Sequence, residues 1–329
     1  MEVYVGRTFE GQPTSVARRE RGELAARIER SCSRRVRWME GSRHLEWRVG
    51  DVIIRRVEAR VTAVPHGSIC SGVTPEVVDQ HRPWIDPFVT SDGRMLLSIH
   101  SFVVTDGPTT LVIDTCVGAH GDRPLPQDPH LPDLLADAIN GGLAAVDVVV
   151  CTHLHFDHVG WNTTRDLETG GLMPTFPNAE YLVSREELDG FPDHDHSGIA
   201  HISVDPLVAA GCLRSVESDH QITNNVSLVS SKGHSPGHVS VLISSRGERA
   251  LITGDFVHTP LQFLLPEITA DRFDADIDQA ISTRRRLIDL ISDGNTLILG
   301  THFPPPTAGR INRTADGGIT FTPHIGSST

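Results

Sequence analysis

Thr152-His153-Leu154-His155-Phe156-Asp157-His158 is the stretch on which the reading of this chain turns. Three histidines and an aspartate fall within six residues. The run Val146–Cys151 delivers them, apolar but for Asp147 and of the kind expected of a strand buried on both faces. In a tight loop, His153 and His155 can face one metal ion while Asp157 and His158 face another. Imidazole nitrogen and carboxylate oxygen suit zinc and other borderline divalent ions. A solvated polar loop is the competing reading. The buried strand disfavours it, and so does the downstream sequence.

Three further segments place a ligand-type residue directly after an apolar run. Gly233-His234-Ser235-Pro236-Gly237-His238 follows Val226–Ser231. Thr253-Gly254-Asp255 ends Ala250–Thr253, and Gly300-Thr301-His302 ends Thr296–Leu299. One histidine or aspartate at a strand end is more often a cap than a ligand. The ordered set is the informative feature. No cysteine stands at a ligand position, and closed structural zinc sites usually use cysteine.

With these residues in place, the chain resembles the metallo-β-lactamase superfamily. The matching pieces are Ile113-Asp114-Thr115, the HxHxDH stretch 153–158, Gly233-His234, Gly254-Asp255 and His302, spanning roughly residues 52 to 305. The resemblance implies an α/β (α+β) fold, an αβ/βα four-layer sandwich of two mixed β-sheets flanked by helices. It implies that His153, His155 and His234 hold one metal, that Asp157, His158 and His302 hold a second, and that Asp255 bridges them with a hydroxide. Two divalent ions are expected, zinc first, with manganese, cobalt or iron as other occupants. Asp114 would orient a ligand histidine from behind, and His238 would be structural. Catalytic roles fall on Asp157, Asp255 and His258. The implied activity is hydrolysis of a small, largely uncharged ester, lactone or phosphotriester.

Other branches fit less well. Flavodiiron relatives carry Glu where this chain has His155. Sulfur dioxygenases use one iron and fewer ligands. A non-hydrolytic iron oxygenase or redox protein is therefore the second reading. Thioesterases resembling glyoxalase II share the ligands but use a basic C-terminal patch, which the tail after Arg313 lacks. The group containing methyl parathion hydrolase and the N-acyl-homoserine lactonases resembles the chain best, through His100, Asp114-Thr115-Cys116, Val159-Gly160-Trp161-Asn162 and Gly254-Asp255-Phe256-Val257-His258. Lactonases of that group often carry tyrosine where this chain has His258, which counts against acyl-homoserine lactones in particular.

Composition bounds the remaining choices. The chain has 329 residues, 38% hydrophobic and 22% charged, with a formal net charge of −13, which argues for a soluble globular protein and against nucleic acid as partner. Five scattered cysteines without a CxxC pair do not form a disulfide framework. No apolar leader begins the chain and no run is long enough to span a bilayer, so the expectation is a cytoplasmic protein that does not engage membranes. Residues 1–49 read as an N-terminal helical arm, with a helix over Ser15–Arg35, and residues 50–329 as the catalytic domain. The arm's narrow apolar stripe and the habits of relatives suggest a homodimer. A long helix is expected over Ala275–Ser292 with Ile277, Ala280, Ile281, Leu287, Ile288 and Ile291 on one face. Trp161, Phe256, Phe263 and Trp84 are the expected walls of a substrate pocket. His194, His196 and His201 form a histidine-rich loop that reads as solvated, with a lid or secondary metal site as the alternative.

Overall fold

In the computed structural model, residues 44–82, 84–119, 129–191, 195 and 197–328 are described. The helix expected over 15–35 lies outside the described residues, as do His194 and His196. In chain order the strands are β1 His44–Val49, β2 Val52–Ala63, β3 Leu96–Asp106, β4 Thr109–Ile113, β5 Val148–Val150, β6 Thr163–Arg165, β7 Leu172–Pro174 and β8 Glu180–Ser184. They continue as β9 Leu213–Val216, β10 Val226–Ser230, β11 Val239–Ser245, β12 Glu248–Ile252, β13 Thr296–Leu299, β14 Ala308–Arg313, β15 Ile319–His324 and β16 Ser327–Ser328. One sheet has the order β16-β1-β2-β3-β4-β5-β8-β9. The other is β10-β11-β12-β13-β14-β15, and β6-β7 is a separate ribbon. Both large sheets are mixed: β4, β5, β8 and β9 run parallel to one another, as do β12 and β13, and the other pairs are antiparallel.

Alternating side chains generate the layers. Phe102, Val104, Leu111, Ile113 and Val150 of the first sheet pack with Val241, Ile243, Ala250, Ile252, Leu297 and Leu299 of the second. The intervening residues face outward. Val103, Val112 and Val149 share a cluster with Leu131 and Leu135 of the helix Leu131–Ala138. Leu251 and Ile298 share that cluster with Leu287, Ile288 and Ile291 of the helix Ile277–Ile291. Period-2 alternation, buried on both sides, is what makes a helix-sheet-sheet-helix sandwich.

Two expectations are corrected. Among the described residues the sandwich already includes His44–Val49, which the expected boundary at residue 50 left out. Strand β1 pairs antiparallel with β2, Trp47 opposite Ile54, and buries Leu45, Trp47 and Val49, so residues 44–49 belong to the first sheet and not to an arm. In the long helix, Ile277 is 41% exposed, whereas Thr283 and Arg284 are buried beside Ala280 and Leu287. Ile277 occupies the first turn, where the cap rather than packing sets the conformation: Asp276 accepts the Gln279 N–H at 2.9 Å. Cys70, Cys151 and Cys212 are free thiols. Among the described residues no helix is long and apolar enough to cross a membrane.

Candidate metal centre

The loops that leave β5, β10, β12 and β13 meet at one place. His155 Nδ1 stands 3.0 Å from His153 Nε2 and 3.0 Å from His234 Nε2. Beside this group, Asp157 Oδ1 is 3.8 Å from His158 Nε2, and Asp157 Oδ2 is 3.7 Å from His302 Nε2. Asp255 Oδ2 lies between the two groups. It is 3.4 Å from His234 Nε2 and 3.9 Å from His153 Nε2 on one side, and 3.3 Å from His158 Nε2 and 3.1 Å from His302 Nε2 on the other. The structure thus brings together all seven residues that the sequence put forward as ligands.

The donor set fits two divalent cations. Asp255 Oδ1 and His158 Nε2 are buried without a hydrogen-bond partner, a costly state for polar atoms unless something else engages them. Burial, followed by the neighbouring imidazoles, holds His153 and His155 well below their ordinary pKa, in the neutral form that binds metal. Burial would push the Asp255 carboxyl up, yet His158, His302 and His258 outweigh it and keep this group well below the usual carboxylate range. At His158 burial opposes charge, but Asp255, Asp157 and Asp114 prevail and raise its pKa. Carboxylates that hold a proton on buried imidazole are the partners a cation would have in its place.

Four of the seven are aimed from behind. Asp114 Oδ2 accepts from His158 Nδ1 at 2.8 Å, while the same carboxylate accepts the Thr152 N–H and Oγ1 at 2.8 Å each. His302 Nδ1 donates to the Ser98 carbonyl at 2.8 Å and His234 Nδ1 to Asp274 Oδ1 at 3.0 Å. These bonds leave Nε2 of His158, His302 and His234 facing inward. Asp255 is positioned through its backbone: its N–H donates to His238 Nε2 at 2.7 Å, and His238 Nδ1 pairs with Ser231 Oγ at 2.7 Å. That arrangement explains Gly254, which has φ +57 and sits so close to the His238 ring that a Cβ would stand 2.6 Å from it. Asp114→Asn, which replaces one acceptor by a donor facing donors, is expected to weaken metal binding by about 10- to 100-fold. Competition with a chromophoric chelator measures this.

A cavity of about 760 Å³ opens over the cluster. Val64, Ile69, Leu97, Phe156, Phe191 and Phe273 line it together with His155, Asp157, Asp255, His258 and His302. The four expected wall residues do not. Phe256 (2% exposed) and Phe263 (1%) are core, and Phe263 stacks on Phe321 of β15 at 11° and 5.9 Å. Trp161 is 6% exposed and packs in the same core, while Trp84 packs against Phe321. His258 Nε2 is 3.2 Å from Asp255 Oδ2, and its ring lies parallel to that of His302 at 5.5 Å. His201 is exposed and pairs with Asp205 at 2.7 Å, away from the cluster. Sequence reading missed Asp274, Glu187 and Gln262. Gln262 Oε1 accepts the His258 N–H at 2.6 Å. Asp274 is hidden among Asp271, Asp276 and Asp278. Glu187 did leave a signal, in the capping pattern Ser184-Arg185-Glu186-Glu187.

The model of the metallo-β-lactamase superfamily matches residues 94–302, and the chain belongs to that superfamily. An N-acyl homoserine lactonase of a Bacillus species is 26% identical over 155 residues, covering 47% of this chain and 54% of that one. The N-acyl homoserine lactonase AiiA of Bacillus thuringiensis subsp. kurstaki is 25% identical over 159 residues, with the same shares covered. The chain thus spans about half the length of the curated relatives it matches. Among solved structures, the hydrolase AbOPH superposes with a TM-score of 0.70 at 21% identity, covering 86% of this chain and 98% of that one. AidC, a dizinc quorum-quenching lactonase solved with a product, gives 0.67 at 19%, with the same shares covered. At these identities the structural likeness shows the fold.

Proposed function

We propose that this protein is a dinuclear metal-dependent hydrolase of a small, largely uncharged organic substrate, an ester, lactone or phosphotriester. The observation that carries the reading is the placement of two donor groups around the single carboxylate oxygen of Asp255, at the floor of a mainly apolar cavity. His153, His155 and His234 would hold one ion, Asp157, His158 and His302 the other, with Asp255 shared. Zinc suits these donors, and a relative in structure is a dizinc lactonase. Two such ions would supply Lewis acidity and would lower the pKa of a bound water molecule.

The protein's own residues do the rest. Val64, Ile69, Leu97 and Phe273 exclude water and take the apolar body of the substrate. Asp157, which lines the cavity, is placed to receive a proton on Oδ1 or Oδ2. His258 stands where its Nε2 N–H, 3.2 Å from Asp255 Oδ2, can donate a hydrogen bond to a leaving oxygen, which takes its proton from solvent. Names among the relatives support lactones as the first bond to test.

The test is a proton-release assay on zinc-reconstituted protein against lactones, aryl esters, phosphotriesters and a β-lactam, with and without chelator. Chelator-sensitive turnover of one class supports the reading and identifies the bond. Oxygen uptake without turnover of any of these would replace it by redox chemistry. Within the same assay, Phe273→Ala is expected to raise KM about fivefold with kcat little changed, because it removes contact made equally in ground and transition states. Phe263→Ala, a core truncation, is expected instead to lose about 3–5 kcal/mol of stability and to leave KM in place. Thermal melts beside the kinetics separate the two.

A further inference from the structure

One buried carboxylate joins the two loops that carry the three-imidazole donor group. Glu187 sits in the first turn of the helix Arg185–Gly190 and is 2% exposed. Its Oε1 accepts the Leu154 N–H at 3.0 Å, between His153 and His155. Its Oε2 accepts Ser235 Oγ at 2.6 Å, next to His234, and the Gly237 N–H at 2.8 Å. The helix itself is fused to the second loop. Its cap, Ser184, accepts the Glu187 N–H at 3.1 Å and donates to the Gly237 carbonyl at 2.5 Å. At Gly237 a Cβ would stand 1.9 Å from the Glu187 nitrogen, so no larger residue fits. His302 and Asp157 have no bond to this carboxylate. His302 takes its orientation from Ser98 of β3, and His158 takes its own from Asp114.

We propose that Glu187 is the positioning residue of the His153–His155–His234 metal site: it sets the spacing between the two loops that bring these imidazoles together, and so governs affinity at that site and not at the other. The inference rests on the dinuclear reading above. Three donors converge on Glu187, and every one belongs to a residue adjoining, or within three of, a ligand of that site. Glutamine has the same shape, but its amide group would turn N–H bonds toward N–H and O–H donors. One loop would then be released while the fold around it stays intact.

The test uses full-length metal-free protein in two single-site backgrounds, each titrated with zinc against a competing chelator. His302→Ala leaves the three-imidazole site, and His155→Ala leaves the other. Glu187→Gln is expected to weaken zinc about 10- to 100-fold in the first background and to change it less than about threefold in the second. Equal losses in both, or no loss in the first, overturn the proposal. Ser235→Ala, which removes one of the three bonds and keeps the carboxylate, is expected to give a smaller loss with the same preference. It decides the matter if Glu187→Gln does not fold. Zinc binding that is absent even with Glu187 intact overturns the dinuclear reading and this inference with it. Tight binding that ignores Glu187→Gln overturns this inference alone.

Discussion

Asp255→Ala is expected to cost at least one equivalent of bound metal and about a thousandfold in turnover, the size of effect that follows from losing several kcal/mol of metal-based charge stabilisation. The geometry explains why no neighbour can substitute. Oδ2 lies within 4 Å of imidazoles in both donor groups: His153 and His234 on one side, His158 and His302 on the other. Without it, His153 and His234 lose the carboxylate that faces them, and His158 and His302 lose the largest of the charges that raise their pKa. Elemental analysis after dialysis reads the stoichiometry, and steady-state kinetics reads the rest. Full activity with two equivalents retained would end the dinuclear mechanism.

Arg284→Met is expected to destabilise the fold by about 3–5 kcal/mol, because it leaves three backbone carbonyls without their buried donor. For a chain of this size that lowers the melting temperature by on the order of 10 °C. Arg284 is completely buried in the long helix. Its Nε donates to the Phe256 carbonyl at 2.9 Å, and its Nη1 donates to the carbonyls of Ile268, also at 2.9 Å, and of Pro266. These three carbonyls belong to the segment that runs from Asp255 past His258 to Phe273 and forms one side of the cavity. Methionine matches the volume and offers no donor, leaving the carbonyls unpaired. The loss is therefore expected to appear both in the melt and in KM. A melt within 1 °C of the parent would show that the segment finds other partners.

How much of this was legible in the sequence follows from what each residue depends on. His153, His155, Asp157 and His158 could be read because one strand delivers them and their spacing is local. His234, Asp255 and His302 could be read because each ends an apolar run, which places them on the same rim of the sandwich. The first strand was in principle readable: Leu45, Trp47 and Val49 alternate with Glu46 and Arg48. The Arg- and Glu-rich sequence before it masked that alternation. The pocket walls were not readable. Whether Phe263 faces a cavity or a core is decided by Phe321, almost sixty residues away, and nothing local distinguishes it from Phe273, which does line the cavity. Asp274 stayed hidden for the same reason, as one acid among four in a short stretch, chosen only by contact with His234.

Each donor group draws on both halves of the sandwich. His153, His155, Asp157 and His158 follow β5 of the eight-stranded sheet, and His234, Asp255 and His302 follow β10, β12 and β13 of the six-stranded one. An ion seated in either group therefore works as a rivet between the sheets, and its binding energy becomes docking energy for the two halves. Each ion present at a hundredfold over its dissociation constant adds about 2.7 kcal/mol against any motion that parts them. Opening the seam would break both groups at once, so metal would leave in pairs, and supply of the ion would set how tightly the two sheets of this protein are closed.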